Sequence, residues 1–348
     1  MAIHMDCFGL TDVGRVRESN QDQFLIGNLR KSLEVFQTSL SVDDHSRMFG
    51  GSQGKLLIVA DGMGGHASGE RASTLAVDTL SEYCLNSLPW LFRLEQDSEE
   101  EFVAELRAAM EKCDDCVKAE SEVIPDHRGM GTTLTIAYVI WPRVYVIHAG
   151  DSRCYLVRHG KLFQVTRDHT MGQELLDEGI LSEEEIRGAS SVLWNCVGGV
   201  DNVRPHAHRA QLEIGDALLL CSDGLTKHLT DQQIEESLAS SKTAEIACRN
   251  LVDAANRAGG SDNITVVLAR FEDVNQQEEF ASTEANRSEE SSSEAELVAA
   301  KPSLPNATET TCNGVSKTHA LAAAARPVKI FNWKVRSPLA LLGLRCSE

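Results

Sequence analysis

The sequence predicts an α/β layered fold built on antiparallel sheets. Three observations lead there: runs of strand length cluster together, helical spacings come in pairs, and no strand–helix–strand alternation links them. At 348 residues the chain has room for one large domain or two ordinary ones, and for a substantial core.

Taken in order, residues 3–13 and 23–26 read as short strands flanking the polar stretch Gly14-Arg15-Val16-Arg17-Glu18-Ser19-Asn20-Gln21-Asp22. Residues 27–54 carry little pattern and are expected to form a long surface loop. Leu56-Leu57-Ile58-Val59-Ala60 is a continuous apolar run, suited to a strand buried on both faces. It ends in Asp61-Gly62-Met63-Gly64-Gly65-His66, and residues 66–88 read as a helix rich in Ala, Leu and Glu.

A second helix is expected over 98–121. Glu99, Glu100 and Glu101 suit the helix dipole in its first turn, and Phe102, Leu106, Met110, Cys113 and Val117 keep near-helical spacing. The period then changes to strands over 132–140 and 144–149, turning at Trp141-Pro142-Arg143, and to a hairpin of 153–158 with 161–166 across His159-Gly160. Residues 168–189 form a polar, helix-biased insert, with Ser182-Glu183-Glu184-Glu185 as a capping box. Strand character is weak over 191–197 and strong over 217–222. Helices over 231–239 and 243–258 precede a last strand at 263–271. His206 and His208 form an HxH pair, expected as solvated histidines on a loop.

After about residue 274 the composition turns Ser/Glu-rich and then Ala/Thr/Pro-rich without periodicity, as in a disordered tail. Its end, residues 328–339, mixes basic and apolar side chains and is a candidate docking segment. The net charge of −19 argues against nucleic acid or anionic membrane as partner and is compatible with divalent cations. The opening residues lack a signal-peptide pattern, and no apolar run approaches the roughly 18 residues of a transmembrane helix. Ten scattered cysteines, several inside apolar runs, read as reduced core thiols of a cytoplasmic protein. Cys113-Asp114-Asp115-Cys116 is a lone CxxC without the second pair that a zinc site wants.

A strand followed by a carboxylate and a small residue recurs. Asp61 precedes Gly62, Asp151 stands between Gly150 and Ser152, Asp223 between Ser222 and Gly224, and Asp262 follows Ser261 just before the last strand. One such Asp is ordinary turn or helix-cap chemistry. Four of them could converge at one sheet edge, where carboxylate and carbonyl oxygens are the ligands that Mg²⁺ and Mn²⁺ prefer.

The blocks at 17–22, 59–70, 129–133, 149–153, 219–225 and 259–267 resemble, in order, those of the metal-dependent protein phosphatases (PPM, type 2C) in their compact bacterial form. The resemblance covers nearly all of residues 1–273 and leaves out the tail, 274–348. It implies a four-layer αββα sandwich of two mainly antiparallel β-sheets flanked by helix pairs. It also implies a Mn²⁺ or Mg²⁺ centre of two ions, with a possible third.

By resemblance, Asp61 bridges the two ions and the Gly62 carbonyl binds one. Asp223 and Asp262 hold the other, and Asp151 with Asp223 matches the third, weaker site. Arg17 matches the arginine that grips phosphate, and its planar fork suits that task. His66 matches the proposed general acid. Gln21-Asp22 stands where the family often has Glu-Asp, so Gln21 lowers the negative charge around waters near the ions without removing a direct ligand. The insert at 168–189 matches the family's variable flap beside the active site.

The implied function is a protein serine/threonine phosphatase, acting by attack of a metal-bridging hydroxide with no phosphoenzyme intermediate. Its expected substrates are phosphorylated proteins, including Ser/Thr kinases, and a monomer is the expected state. An alternative is a catalytically weak or inactive pseudophosphatase that binds phosphoproteins. Its signature would be loss of a ligand Asp, and all four are present. A third reading, an enzyme cleaving a small phosphorylated metabolite, is left open by the sequence.

Overall fold

A computed structural model describes residues 3–34, 47–64, 68–87, 99–180, 182, 192–273 and 331–332. The chain divides into two compact units, Met5–Phe271 with Lys329–Glu348, and Met1–His4 with Glu272–Val328. The second is described only at residues 3–4 and 272–273, which are strand ends. The site lies wholly in the first.

The strands are β1 (Ile3–Asp12), β2 (Asp22–Glu34), β3 (Arg47–Met63), β4 (Gly131–Thr132), β5 (Leu134–Ile140), β6 (Arg143–Ala149), β7 (Arg153–Arg158), β8 (Lys161–Gln164), β9 (His206–Gln211), β10 (Ala217–Cys221), β11 (Ile264–Asp273) and β12 (Phe331–Asn332). The helices are α1 (Ser68–Asn86), α2 (Glu99–Val123), α3 (Met171–Asp177), α4 (Asp223–Thr226), α5 (Asp231–Ser240) and α6 (Ala244–Arg257). One sheet has the order β1-β11-β10-β7-β8, and the other β12-β9-β6-β5-β3-β2, with β4 on β3. The central pairs of both are antiparallel.

Each sheet carries a helix pair on its outer face. Leu56, Ile58 and Ala60 of β3 pack in one cluster with Ala72, Ala76 and Leu80 of α1 and Phe102, Leu106 and Met110 of α2. Leu219 and Cys221 of β10 pack with Ile234 and Leu238 of α5 and Ala247, Leu251 and Ala255 of α6. Side chains alternate along a strand, so Leu57, Val59, Leu218 and Leu220 point the other way, and they are buried too. Both faces of both sheets are therefore covered, which is why these strands read as unbroken apolar runs. Burying each such side chain contributes roughly 1.5–3 kcal/mol. The helix starts are chemically marked: Thr230 and Gln233 form a capping box at α5, and Thr243 accepts the Ile246 N–H at α6.

The expected α/β class with two antiparallel sheets is observed, and most elements fall where the pattern puts them. The expected surface loop over 27–54 is overturned at 27–34 and 47–54, which extend strands β2 and β3, paired antiparallel from Asp22↔Asp61 to Glu34↔Arg47 with a shift between Arg30 and Ser32. Residues 35–46 lie outside the described residues. Backbone pairing builds that extension, so no apolar periodicity announces it. The weak strand expected at 191–197 is overturned as well: over the described 192–197 the chain is a loop with isolated bridges Thr132↔Val197 and Thr170↔Leu193.

His206 and His208 are not solvated loop residues. They lie on β9, and His208 is buried. Cys113 is a core thiol of α2 whose Sγ donates to the carbonyls of Ala76 and Ala109, and it is free, as is Cys116. The capping box at Ser182 and nearly all of the tail lie outside the described residues. Within the tail, β12 pairs with β9 through Phe331↔Arg209 and Asn332↔His208. Among the described residues, no helix is long and apolar enough to cross a membrane.

Candidate active site

Antiparallel pairing brings one set of strand ends to one edge. Asp22 opens β2 directly opposite Asp61 near the end of β3. Asp151 follows β6, Asp223 follows β10, and Asp262 precedes β11, the strand beside β10. The structure thus brings Asp61, Asp151, Asp223 and Asp262 together, with Asp22 beneath them.

The backbone around Asp61 is held from three sides. Its N–H donates to Thr133 Oγ1 (2.9 Å), and its carbonyl accepts from Thr132 Oγ1 and from the Thr133 N–H, each at 2.9 Å. The Gly62 N–H donates to the Gln21 carbonyl (3.1 Å), which also accepts from Ser73 Oγ of α1 (2.6 Å). A Cβ on Gly62 would collide with the Gly69 carbonyl oxygen, so only glycine lets helix and turn approach this closely.

Asp22 is 2% exposed. Its Oδ2 accepts from Ser222 Oγ and Thr265 Oγ1, both at 2.7 Å, while its Oδ1 is buried without a partner. Asp223 Oδ1 is likewise buried and unpartnered. Asp262 is differently placed. Arg17 meets it in a fork, Nε to Oδ1 at 2.7 Å and Nη2 to Oδ2 at 3.0 Å. Lys227 Nζ reaches Asp223 Oδ2 at 2.5 Å and Asp262 Oδ2 at 2.8 Å.

The electrostatics follow from that geometry. Burial, aided by Asp223 and Asp262 and opposed by its two hydroxyl donors, pushes the Asp22 carboxyl up to about 6. Burial and the charges of Asp22, Asp223, Asp151 and Asp262 push Asp61 well above the usual range. Burial and Asp223 push Asp151 up to about 7. Burial also raises Asp223, against Lys227. Burial raises Asp262 too, but Arg17 and Lys227 outweigh it and hold that carboxyl low. Packed acids of this kind disfavour their own ionised forms unless a cation joins them.

The donor set fits a hard divalent cation: clustered carboxylates, two with buried and unpartnered oxygens, beside the backbone turn at Gly62. Among the described residues, no three acidic, His or Cys side chains stand in ligating geometry. The Asp223 and Asp262 oxygens are instead turned onto Lys227 and Arg17.

Sequence reasoning missed two participants. Asn263 pins the Arg17 loop: its Nδ2 donates to the carbonyls of Val13 and Ser19, and its Oδ1 accepts from the Gln21 N–H, each at 2.9 Å. It lies in the Gly259–Asn263 block, where the adjacent aspartate drew the attention. Lys227 gave no signal except its spacing of four residues from Asp223, which on a helix makes two side chains neighbours. His66 falls outside the described residues.

The described start of the 168–189 insert is anchored at the same edge. His169 N–H donates to the Gly150 carbonyl (2.7 Å), and Arg153 grips Asp168 through Nε–Oδ1 at 2.8 Å and Nη2–Oδ2 at 2.7 Å.

Residues 36–269 match the model of the protein phosphatase 2C family. Over 218 residues the chain is 40% identical to the serine/threonine protein phosphatase PstP of Mycobacterium tuberculosis. That match spans 62% of this chain but 40% of the relative's length. It is 34% identical over 260 residues to the serine/threonine phosphatase stp of Listeria monocytogenes, covering 74% of this chain and 92% of the relative. The structure is similar to that of the PstP catalytic domain in complex with two manganese ions, with a TM-score of 0.62 and 33% identity over 78% of this chain and all of that one.

Proposed function

The chain belongs to the protein phosphatase 2C family, and we propose that it is a metal-dependent protein serine/threonine phosphatase. It would hydrolyse phosphoserine and phosphothreonine directly, with no phosphoenzyme intermediate. The observation that carries this reading is the acidic cluster of buried Asp22 with partly buried Asp61, Asp151, Asp223 and Asp262, and the half-exposed guanidinium of Arg17 aimed into it.

In this reading Asp61, the Gly62 carbonyl, Asp223 and Asp262 would hold two ions, and Asp151 with Asp223 would hold a third. When bound, Mn²⁺ or Mg²⁺ would supply Lewis-acid activation of water and neutralise charge on the phosphoryl oxygens. The chain's own residues do the remaining work. Thr132 and Thr133 fix the backbone of Asp61. Arg17, on a loop pinned by Asn263 and with its side chain half exposed, presents a fork that matches two phosphoryl oxygens. Gln21 and Asp22 order water at the floor of the site. His66 delivers the proton to the departing seryl or threonyl oxygen.

Proteins phosphorylated by Ser/Thr kinases, the kinases among them, are the substrates this reading assigns, and a monomer is its assembly. The catalytic unit is 1–273, and 274–348 is a tail. A reducing, cytoplasmic setting suits the eight described cysteines, which are all free and mostly buried.

The test is phosphate release from a phosphothreonine peptide, with and without Mn²⁺, by wild type and Asp223→Asn. Metal-dependent turnover abolished by the substitution supports the reading. Folded wild type without turnover in any divalent metal overturns it and favours a phosphoprotein-binding module.

A further inference from the structure

Lys227 caps the C-terminus of α4, the four-residue helix that begins at Asp223. Its N–H donates to the Asp223 carbonyl at 2.8 Å, closing one helical turn. Side chains on a helix lean toward its N-terminus, so this turn carries the lysine stem back over Asp223. The ammonium then lies between two acids supplied by different elements, at 2.5 Å from Asp223 Oδ2 and 2.8 Å from Asp262 Oδ2. Arg17 takes the remaining sides of Asp262. The Lys227 side chain is 42% exposed, so water was open to it as an alternative.

We infer that Lys227 is a built-in counter-cation of the candidate metal centre, and that it competes with a divalent ion for the Asp223–Asp262 pair. The inference rests on the metal reading above and says which part of that centre binds weakly. Without an ion, Lys227 relieves the repulsion between two acids that backbone geometry forces together. An ion seated on Asp223 and Asp262 must displace the ammonium from both, and a unit positive charge on a tether one turn long stays nearby to oppose it. Asp61 makes no direct ion pair among the described residues, and the Arg17 charge reaches it only through space. The ion on the Gly62 side of Asp61 therefore binds first, and the ion of the Asp223–Asp262 pair fills only at higher concentration. Lysine suits this role better than arginine, because a compact point charge on a flexible stem leaves a carboxylate readily.

The experiment is calorimetric titration of the metal-stripped full chain with MnCl₂, alongside thermal melts in chelator, for wild type, Lys227→Met and Lys227→Arg. Methionine keeps most of the stem's apolar volume, and the site is half exposed, so the fold should be retained. Circular dichroism checks this. The expected result is weak-site binding tightened about tenfold in Lys227→Met, with a lower melting temperature in chelator, and affinity no higher than wild type in Lys227→Arg. Equal or weaker Mn²⁺ binding by Lys227→Met overturns the inference while leaving the metal reading intact. Equal tightening in both variants overturns it too, since the stem and not the charge would be responsible. Failure of wild type and variants alike to bind Mn²⁺ overturns the metal reading and this inference together.

Discussion

Replacing Asp22 by Asn should stabilise the metal-free protein at neutral pH while weakening its response to Mn²⁺. The Asp22 carboxyl rises from 3.8 to about 6 in the fold, chiefly through burial. A raised pKa in the folded state means that the associated stability is complete below pH 3.8 and is lost as pH climbs through about 6. Each unit corresponds to ~1.4 kcal/mol, so the ionised group costs about 3 kcal/mol at pH 7.5. An asparagine oxygen can still accept from Ser222 and Thr265, the two hydroxyls on Oδ2. Its amide, where the unpartnered Oδ1 now sits, returns about 1 kcal/mol or more of that gain.

The net expectation is about 1–2 kcal/mol, or roughly 2–4 °C in melting temperature for a domain of this size. Melts in chelator at pH 7.5 and pH 4.5 read it directly. The variant should melt higher at pH 7.5, gain little at pH 4.5, and shift less than wild type when Mn²⁺ is added. A variant that melts lower than wild type at pH 7.5, or gains equally at both pH values, would refute the idea that the acids are held in mutual conflict.

Asn263→Ala removes three hydrogen bonds that tie the Arg17 loop to the end of β11. It should lower kcat/KM at least tenfold while costing about 1–3 kcal/mol of stability by urea unfolding. Gly62→Ala places a Cβ against the Gly69 carbonyl, so Mn²⁺-dependent turnover should be lost, with a drop of about 2 kcal/mol or more in chelator melts. Burial of His148 between the sheets, with His208 and His206 nearby, lowers its pKa from 6.5 to about 3. The unfolded chain therefore takes up protons first, and the stability present above pH 6.5 is lost toward pH 3. Urea unfolding at pH 7 and pH 5 should show this loss in wild type and a smaller one in His148→Asn.

How much of this was legible depended on where burial and backbone pairing coincide. Val59, Ile147, Leu220 and Val266 are core residues of strands whose apolar runs stand out, so the aspartates at their ends could be located from pattern alone. The resemblance then supplied roles for them. Strand β9 was hidden because its buried face carries His206 and His208, residues that read as solvent-facing until their neighbours His148 and His169 are seen. The extension of β2 and β3 was hidden because main-chain pairing, not side-chain burial, defines it. Asn263 and Lys227 act through partners hundreds or tens of residues away, such as Val13 and Asp262, and no local period encodes those distances.

The central claim is that the acidic edge is where divalent ions are held for catalysis. Crystals of the full chain grown with Mn²⁺, with diffraction measured at the manganese absorption edge, test it most directly. Two strong anomalous peaks are expected flanking the Asp61 carboxylate, with Asp223 and Asp262 turned from Lys227 and Arg17 onto one of them. Protein that turns over with Mn²⁺ yet shows manganese elsewhere, or none beside Asp61, would contradict it.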